Sequence, residues 1–174
     1  ESRGILPKVA DWSGTTAPTV AFGQGYSLTA MQATSVFATI ANDGVRVSPT
    51  VIAGKSDSSG NYTPSETRES VRVISSDTAA NMRLMMESVV SANGTAPSAA
   101  IPGYRVAGKT GTAQRIDDTC GCYRGYTASF IGFAPADNPA YVISVTIQDP
   151  KGLHWGGYLG GPVFKKVMSF VLQS

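Results

Sequence analysis

The sequence predicts an α+β domain, residues 1–174, in which helices pack on an antiparallel sheet of three strands. Two helical periodicities come first, and a third closes the chain. Between them lie three strand-like segments, at about 104–114, 126–134 and 140–148. Because these segments follow one another without an intervening helix, we expect them to pair antiparallel.

The first helix follows an irregular region. Residues 1–24 are rich in Gly, Pro, Ser and Thr and carry no clear periodicity. A helix is predicted over about 30–42, since Thr29 can act as its N-cap and Gly44 as its left-handed end. Its buried side is expected to comprise Met31, Phe37, Ile40 and Ala41.

Short strands and a hairpin complete the predicted β structure. Strand-like pieces occur at 45–47 and 49–52, before the second helix. The turn at 135–139 joins the second and third long strands as a hairpin. The third long strand, 140–148, is nearly all apolar, which predicts a strand that is central or covered on both faces.

The two remaining helices carry apolar stripes. The second is expected to begin after a cap at Ser75 or Ser76 and to end at 93–94, and the last is expected to start near Pro162. Lysines 165 and 166 should face solvent. The stripes, interpreted as core, are Met82, Met85, Met86, Val89 and Val90 in the second helix and Phe164, Val167, Met168, Val171 and Leu172 in the last.

The most informative chemistry is Lys109-Thr110-Gly111-Thr112, in the first long strand. Acyl transfer develops negative charge on a carbonyl oxygen, which preorganised N–H donors stabilise. The Thr112 backbone N–H can be such a donor, and Gly111 leaves room for a substrate. Lys109 supplies positive charge, and the Thr110 and Thr112 hydroxyls can bind a substrate carboxylate. The alternative for these four residues alone is an ordinary surface strand with β-favouring threonines.

A phosphate-binding interpretation of the same segment is weaker. Gly103 to Thr110 formally matches the nucleotide-binding pattern G-x-x-x-x-G-K-[ST]. That loop should follow a buried strand and open a helix, but residues 99–102 end in proline and do not resemble a strand. The residues after Thr110 are a poor helix start, so the sequence disfavours phosphate binding.

Composition and charge narrow the classes of function. The chain is 42% hydrophobic and 15% charged, with a net charge of +2 and scattered basic residues, so no nucleic-acid partner is expected. It has no run of about 18 apolar residues and no recognisable signal peptide. The start, Glu1-Ser2, does not look like a native beginning.

Cys120 and Cys122 are the only cysteines, separated by one glycine. Two free thiols in a loop and a local disulfide in an exported protein are both open alternatives. A metal site would need more ligands than these two residues and the single histidine, His154, so no metal is expected.

Four stretches of motif-like sequence follow one another along the whole chain. They are F-G-Q-G at 22–25 with T-A-M-Q at 29–32 and A-N-D-G at 41–44; V-V followed by G-T-A within 89–96; V-A-G-K-T-G-T-A-Q at 106–114; and F-I-G-F-A-P at 130–135. In this order they resemble class B penicillin-binding proteins. Ala30, where that family often has proline, is a minor departure.

One family motif is absent. The nucleophile of these enzymes is the serine of S-x-x-K, and no lysine of this chain has a serine three residues before it. Two S-x-N strings, 59–61 and 91–93, lie downstream of F-G-Q-G, whereas the family's motif lies upstream, so we interpret them as unrelated. The resemblance therefore implies the C-terminal portion of a transpeptidase domain. Its penicillin-binding and serine β-lactamase-like fold would be incomplete without an N-terminal segment carrying S-x-x-K and S-x-N.

The resemblance also implies a function. It implies a serine-type peptidoglycan D,D-transpeptidase that cross-links D-Ala-D-Ala stem peptides at the extracytoplasmic face of the bacterial membrane, with the membrane-bound cell-wall synthesis machinery as partner. β-Lactams would acylate the serine of the N-terminal segment and place their carboxylate near Lys109, Thr110 and Thr112. No metal or organic cofactor is implied. A β-lactam sensor, another non-catalytic penicillin-binding module and a serine β-lactamase are the alternatives.

Overall fold

The computed structural model describes residues 3–65, 69–117 and 119–174. The helices are α1 (Thr16–Ala21), α2 (Ala30–Ala41), α3 (Ser76–Ser88) and α4 (Gly156–Gln173). The strands are β1 (Val45–Val47), β2 (Gly54–Ser56), β3 (Tyr62–Pro64), β4 (Ser70–Arg72), β5 (Ala107–Asp117), β6 (Cys122–Ala134) and β7 (Tyr141–Gln148). The predicted α+β class is confirmed.

The main sheet is antiparallel, with strand order β5-β6-β7. The predicted hairpin between the second and third long strands is confirmed, with Ala134 paired to Tyr141. Among the described strands, β6 is central and β7 lies at an edge. The second predicted alternative, a strand covered on both faces, explains the apolar sequence of β7. Ile143 and Val145 pack beside α4, and Val142 packs on the side of α2 and α3.

The core lies on both sides of the sheet. On one side, Phe130 contacts Phe164 of α4 edge to face, with ring centroids 4.9 Å apart, and both side chains are fully buried. On the other side, Phe133 packs with Ile40 of α2 and Met86 of α3. The sheet is therefore covered by α4 on one face and by α2 and α3 on the other.

Local hydrogen bonds explain where the first two long helices begin. The Thr29 side chain accepts from the Gln32 backbone N–H at 3.0 Å, while the Gln32 side chain accepts from the Thr29 N–H at 2.9 Å. This reciprocal capping box confirms Thr29 as N-cap of α2. Ser75 caps α3 by accepting from the Thr78 N–H at 3.1 Å.

Several predicted boundaries are wrong. α1 lies within 1–24, which was expected to be irregular, and the strand expected at 49–52 is found instead at Gly54–Ser56, where it pairs with β3. α3 ends at Ser88 rather than near 93–94, because the chain then forms tight turns such as the bond from the Gly94 N–H to the Ser91 carbonyl, 2.9 Å.

The apolar stripes are only partly buried. Met85, Met31 and Val167, all predicted to be core, expose 58%, 48% and 43% of their surface. Helical spacing identifies which residues form an apolar stripe, but it does not show how much of the stripe the neighbouring elements bury. The predicted solvent exposure of lysines 165 and 166 is confirmed.

The start of α4 differs most from the sequence prediction. The helix begins at Gly156, and Pro162 lies inside it instead of at its start. The glycines before the proline were expected to form a loop, but they allow α4 to begin directly against the sheet. A Cβ on Gly156 would collide with the carbonyl oxygens of Gly111 and Ser129. Close packing therefore extends the helix toward Lys109-Thr110-Gly111-Thr112.

Candidate active site

The predicted site residues lie in the first half of β5, which pairs with β6 and, among the described strands, with no other. Lys109 is exposed, whereas Thr110, Gly111 and Thr112 are half-buried. Because the lysine lies within a strand and not at the start of a helix, the phosphate-binding interpretation finds no support in the fold.

The register of the sheet fixes the direction of the β5 backbone. Tyr126 of β6 accepts a hydrogen bond from the Asp149 N–H, just after β7, at 2.8 Å. Along a strand, the backbone N–H and C=O groups of successive residues point alternately to its two sides. Those of Tyr126 point toward β7, so those of Ser129, three residues later, point toward its β5 partner Gly111. Thr112 follows Gly111 and therefore directs its N–H away from β6, toward the free side of β5.

Thr110 shares this outward direction. Its carbonyl oxygen accepts a hydrogen bond from the Nζ of Lys109 at 2.9 Å. The lysine side chain thus folds back along the outer side of the strand and places its positive charge beside the N–H of Thr112. A cation and an outward backbone donor consequently lie within the same few residues.

The hydroxyls of Thr110 and Thr112 have different partners. Thr112 Oγ1 accepts a hydrogen bond from the Gly156 N–H, the first residue of α4, at 3.1 Å. Thr110 Oγ1 lies 3.2 Å from Thr95 Oγ1. Because the Thr112 hydroxyl accepts from Gly156, its own proton is available to a ligand on the open side of the strand.

Gly111 lies close to a side chain of β6. A Cβ at this position would collide with the Oγ of Ser129 on β6. Ser129 is half-buried and lies directly across the ladder from Gly111. A larger residue at 111 would require the Ser129 hydroxyl to turn away from the strand.

The β5–β6 hairpin ends in the cysteine pair. Cys120 and Cys122 form a disulfide, with their Cα atoms 5.2 Å apart, so the disulfide alternative is confirmed. The Asp117 carbonyl accepts from the N–H groups of Cys120 and Gly121 at 3.2 and 2.8 Å. Hydrogen bonds from Thr119, together with Arg124, lower the pKa of the Asp117 carboxyl.

An aromatic group lies at the same end of the sheet and was not recognised in the sequence. The rings of Tyr126 and His154 stack with centroids 3.9 Å apart and planes 9° from parallel. Trp155 tilts against His154 at 5.0 Å and is 60% exposed. Tyr126 is far in sequence from His154 and Trp155, which directly precede α4, and the pairing of β6 with β7 brings it next to them.

A neighbouring charge cluster also depends on this pairing. Asp149 accepts a hydrogen bond from Lys151 Nζ at 2.6 Å, and this bond, with the charges of Lys151, Arg115 and Arg124, lowers the pKa of the Asp149 carboxyl. A Cβ on Gly125 would collide with that carboxylate. The end of the sheet near the aromatic group therefore holds closely paired charges of both signs.

The S-x-N strings form local turns, in agreement with their interpretation as unrelated. Asp57 accepts from the N–H groups of Ser59 and Asn61, both at 2.9 Å, in an exposed turn. The Ser91 hydroxyl donates to the Ser88 carbonyl at 2.7 Å, just after α3. Each serine is thus engaged within its own turn.

A separate apolar cavity of about 630 Å³ lies between α2, α3 and the end of β4. Met31, Val36, Ile74 and Met82 contribute to its lining, with Arg46 at its side. The described ranges contain no group of three potential metal ligands. Nor does any described helix have the length and apolar character needed to cross a bilayer.

Comparison with known proteins decides the family. Residues 1–169 match the penicillin binding protein transpeptidase domain. The chain belongs to this family. The resemblance to class B penicillin-binding proteins is thereby confirmed.

Relatives of this transpeptidase family align over the whole chain. Penicillin-binding protein PbpB of Mycolicibacterium smegmatis is 43% identical over 99% of this chain and 28% of its own length. Peptidoglycan D,D-transpeptidase FtsI of Escherichia coli is 34% identical over 100% of this chain and 28% of its own length. The chain thus spans little more than a quarter of these relatives.

Solved transpeptidase structures confirm the fold. Penicillin binding protein 3 of Mycobacterium tuberculosis in complex with aztreonam superposes with a TM-score of 0.91 at 39% identity, covering 99% of this chain and 41% of that one. The transpeptidase domain of Burkholderia pseudomallei penicillin-binding protein 3 superposes with a TM-score of 0.82 at 36% identity, covering 99% and 50%.

Proposed function

We propose that residues 1–174 form the C-terminal portion of the transpeptidase domain of a peptidoglycan D,D-transpeptidase, a target of β-lactams. The reaction is acyl transfer from a stem peptide ending in D-Ala-D-Ala through a serine acyl-enzyme. The observation that carries the proposal is the outward N–H of Thr112 beside Lys109 and two threonine hydroxyls. The names of relatives such as FtsI of Escherichia coli support it.

Each site residue has a role in this reaction. When the serine attacks the penultimate carbonyl, negative charge develops on the oxygen, and the Thr112 N–H donates to it. The terminal carboxylate of the peptide binds the hydroxyls of Thr110 and Thr112, with the charge of Lys109 beside them. A β-lactam carboxylate occupies the same place, since it stands in a similar relation to the reactive carbonyl.

The nucleophile comes from an upstream segment that carries S-x-x-K and S-x-N. The present sequence contains no S-x-x-K, and the chain covers 28% of its PbpB relative. The apolar cavity between α2 and α3 supports this proposal, because apolar surface of this kind is normally buried against a partner. We assign the complete protein to the extracytoplasmic face of the bacterial membrane, with the cell-wall synthesis machinery as partner.

The test is to locate the acyl adduct. The full-length protein is incubated with benzylpenicillin, digested, and its peptides are analysed by mass spectrometry. We expect one stoichiometric adduct on an upstream serine three residues before a lysine, and none on residues 1–174. An adduct on a serine of this chain, or no adduct on any residue, would contradict the proposal.

A further inference from the structure

Thr95 lies outside the site described above, yet its hydroxyl reaches that site. It belongs to the segment between α3 and β5, and its Oγ1 is 3.2 Å from Thr110 Oγ1, a residue 15 positions later in the chain. We propose that Thr95 is a positioning residue for recognition of the substrate carboxylate: it donates to the Thr110 hydroxyl, so that the Thr110 proton points to the ligand. This inference rests on the proposed function.

The backbone of Thr95 is held in place on two sides. The next residue, Ala96, is 1% exposed, and its N–H donates to the Val89 carbonyl at 2.9 Å, just after α3. On the other side, Gly157 in the first turn of α4 packs so closely that a Cβ there would collide with the Thr95 carbonyl oxygen. The position of Thr95 is therefore set by the fold and does not require a bound ligand.

The role of this pair follows from the number of hydrogen bonds that each hydroxyl can donate and accept. A threonine hydroxyl has one proton to donate and two lone pairs to accept with, so in the free protein either threonine can be the donor. An ionised carboxylate can only accept. When the Thr110 hydroxyl donates its hydrogen bond to the carboxylate, the bond between the threonines persists only if Thr95 donates to Thr110.

The resulting chain runs from Thr95 to Thr110 to the carboxylate. Hydrogen bonds in such a chain polarise one another, which strengthens the last bond to the charged acceptor. Threonine also has few χ1 rotamers, so a partner that holds one of them reduces the entropy lost when the ligand binds. Thr95 thereby favours ligands that carry a carboxylate over neutral ones.

A neighbouring serine offers a matched control. Ser98 Oγ donates to the Gly157 carbonyl at 3.1 Å, so it also links the segment after α3 to the first turn of α4. That bond is to the main chain of α4 and not to Thr110. If the hydroxyls of this segment served only to hold α4, loss of either one would have the same effect.

The experiment compares the second-order acylation rate constants of the full-length protein for benzylpenicillin and for its neutral methyl ester. Thr95→Val is expected to lower the rate for the free acid by ~3–10-fold, since one hydrogen bond in the chain is lost. The rate for the ester should change less than ~2-fold, because no charged acceptor is present. Thr95→Ser should retain the wild-type rates, and Ser98→Ala should leave the acid-to-ester ratio unchanged.

A double-mutant cycle separates positioning from a general structural effect. In a Thr110→Val background, Thr95→Val should have no further effect on the free acid, because its partner hydroxyl is gone. If Thr95→Val lowers the melting temperature, Thr95→Ala provides the same comparison without a branched side chain.

Unchanged rates of acylation by the free acid in Thr95→Val and Thr95→Ala, or equal losses for the acid and the ester, would overturn the inference alone. Failure of the wild-type protein to react with benzylpenicillin would overturn the proposed function and the inference with it.

Discussion

At the scale of single residues, the candidate site depends on backbone direction as much as on side-chain identity. Lys109 and Thr112 are recognisable in the sequence, but the outward direction of the Thr112 N–H follows from the register of β5 with β6. Gly156 is the residue that joins this strand to α4, through its hydrogen bond to Thr112 Oγ1 at 3.1 Å.

Lys109→Ala in the full-length protein is expected to lower the rate of acylation by benzylpenicillin by ~10–150-fold, because a charge-assisted contact to the carboxylate is lost. Lys109 is exposed and its Nζ bonds to the adjacent main chain in β5, so the melting temperature should stay close to that of the wild type. Lys166→Ala, on the exposed side of α4, is the control and should react at the wild-type rate. An unchanged rate for Lys109→Ala would refute the assignment.

Gly156→Ala is expected to destabilise the domain by ~1–3 kcal/mol, because the added Cβ collides with the Gly111 and Ser129 carbonyl oxygens. Urea denaturation of the full-length protein measures this loss, and acylation should slow as well, since α4 moves away from Thr112. Gly14→Ala is a suitable control, because a Cβ there meets nothing within 4 Å. Equal stability of the two variants would show that the packing of α4 on β5 is looser than described.

At the scale of elements, the β5–β6 hairpin is held at its tip by the disulfide and by the bonds around Asp117. The oxidised pair fits an exported protein, because cytosolic thiols are normally kept reduced. Thiol titration of the unfolded, unreduced protein should detect neither Cys120 nor Cys122 as a free thiol. Detection of two thiols from this segment would contradict the disulfide.

The Asp117 carboxylate should contribute to stability in a defined pH range. Its pKa is lowered by hydrogen bonds from Thr119, so its stabilising contribution is present above the unfolded pKa of about 3.9 and is lost as the pH falls through the lower folded value. Asp117→Asn should therefore reduce the melting temperature at neutral pH, and the difference from wild type should shrink below about pH 4. Asp11→Asn, in the short 3-10 helix Val9–Asp11 and exposed, is the control. A difference that is constant with pH would contradict this role.

At the scale of the whole molecule, much apolar surface of the described residues is exposed. On the outer side of α4, Val163, Val167 and Phe170 expose 45%, 43% and 72% of their surface. The cavity between α2 and α3 adds apolar surface on the other side of the sheet. Apolar surface on both sides is the physical reason to expect a further segment of the protein to pack here.

Residues 1–174 expressed alone should be poorly folded and should form no covalent adduct with a fluorescent penicillin. Exposed apolar faces should bind a hydrophobic dye and broaden thermal unfolding, and the chain lacks an S-x-x-K serine to attack the lactam. Intact-mass measurement after incubation checks the adduct, with the full-length protein as the positive control. A stoichiometric adduct on the isolated chain would show that its nucleophile is local.

The sequence by itself determined the order and type of the long elements, because periodicity and capping act over a few residues. Thr29, Ser75 and the hairpin turn at 135–139 mark their boundaries through local hydrogen bonds and turn chemistry. The chemical composition of the site, Lys109 to Thr112, was equally readable, since its residue types are contiguous.

Only the tertiary structure decided the relations between distant residues. The central place of β6, the start of α4 at Gly156 and the contact of Thr95 with Thr110 all depend on which elements pack together. Sequence rules place proline at the start of a helix, but the close packing of Gly156 on the sheet lets α4 begin before Pro162. Long-range packing therefore set the geometry of the site, because it fixes backbone direction and hydroxyl partners that no local pattern encodes.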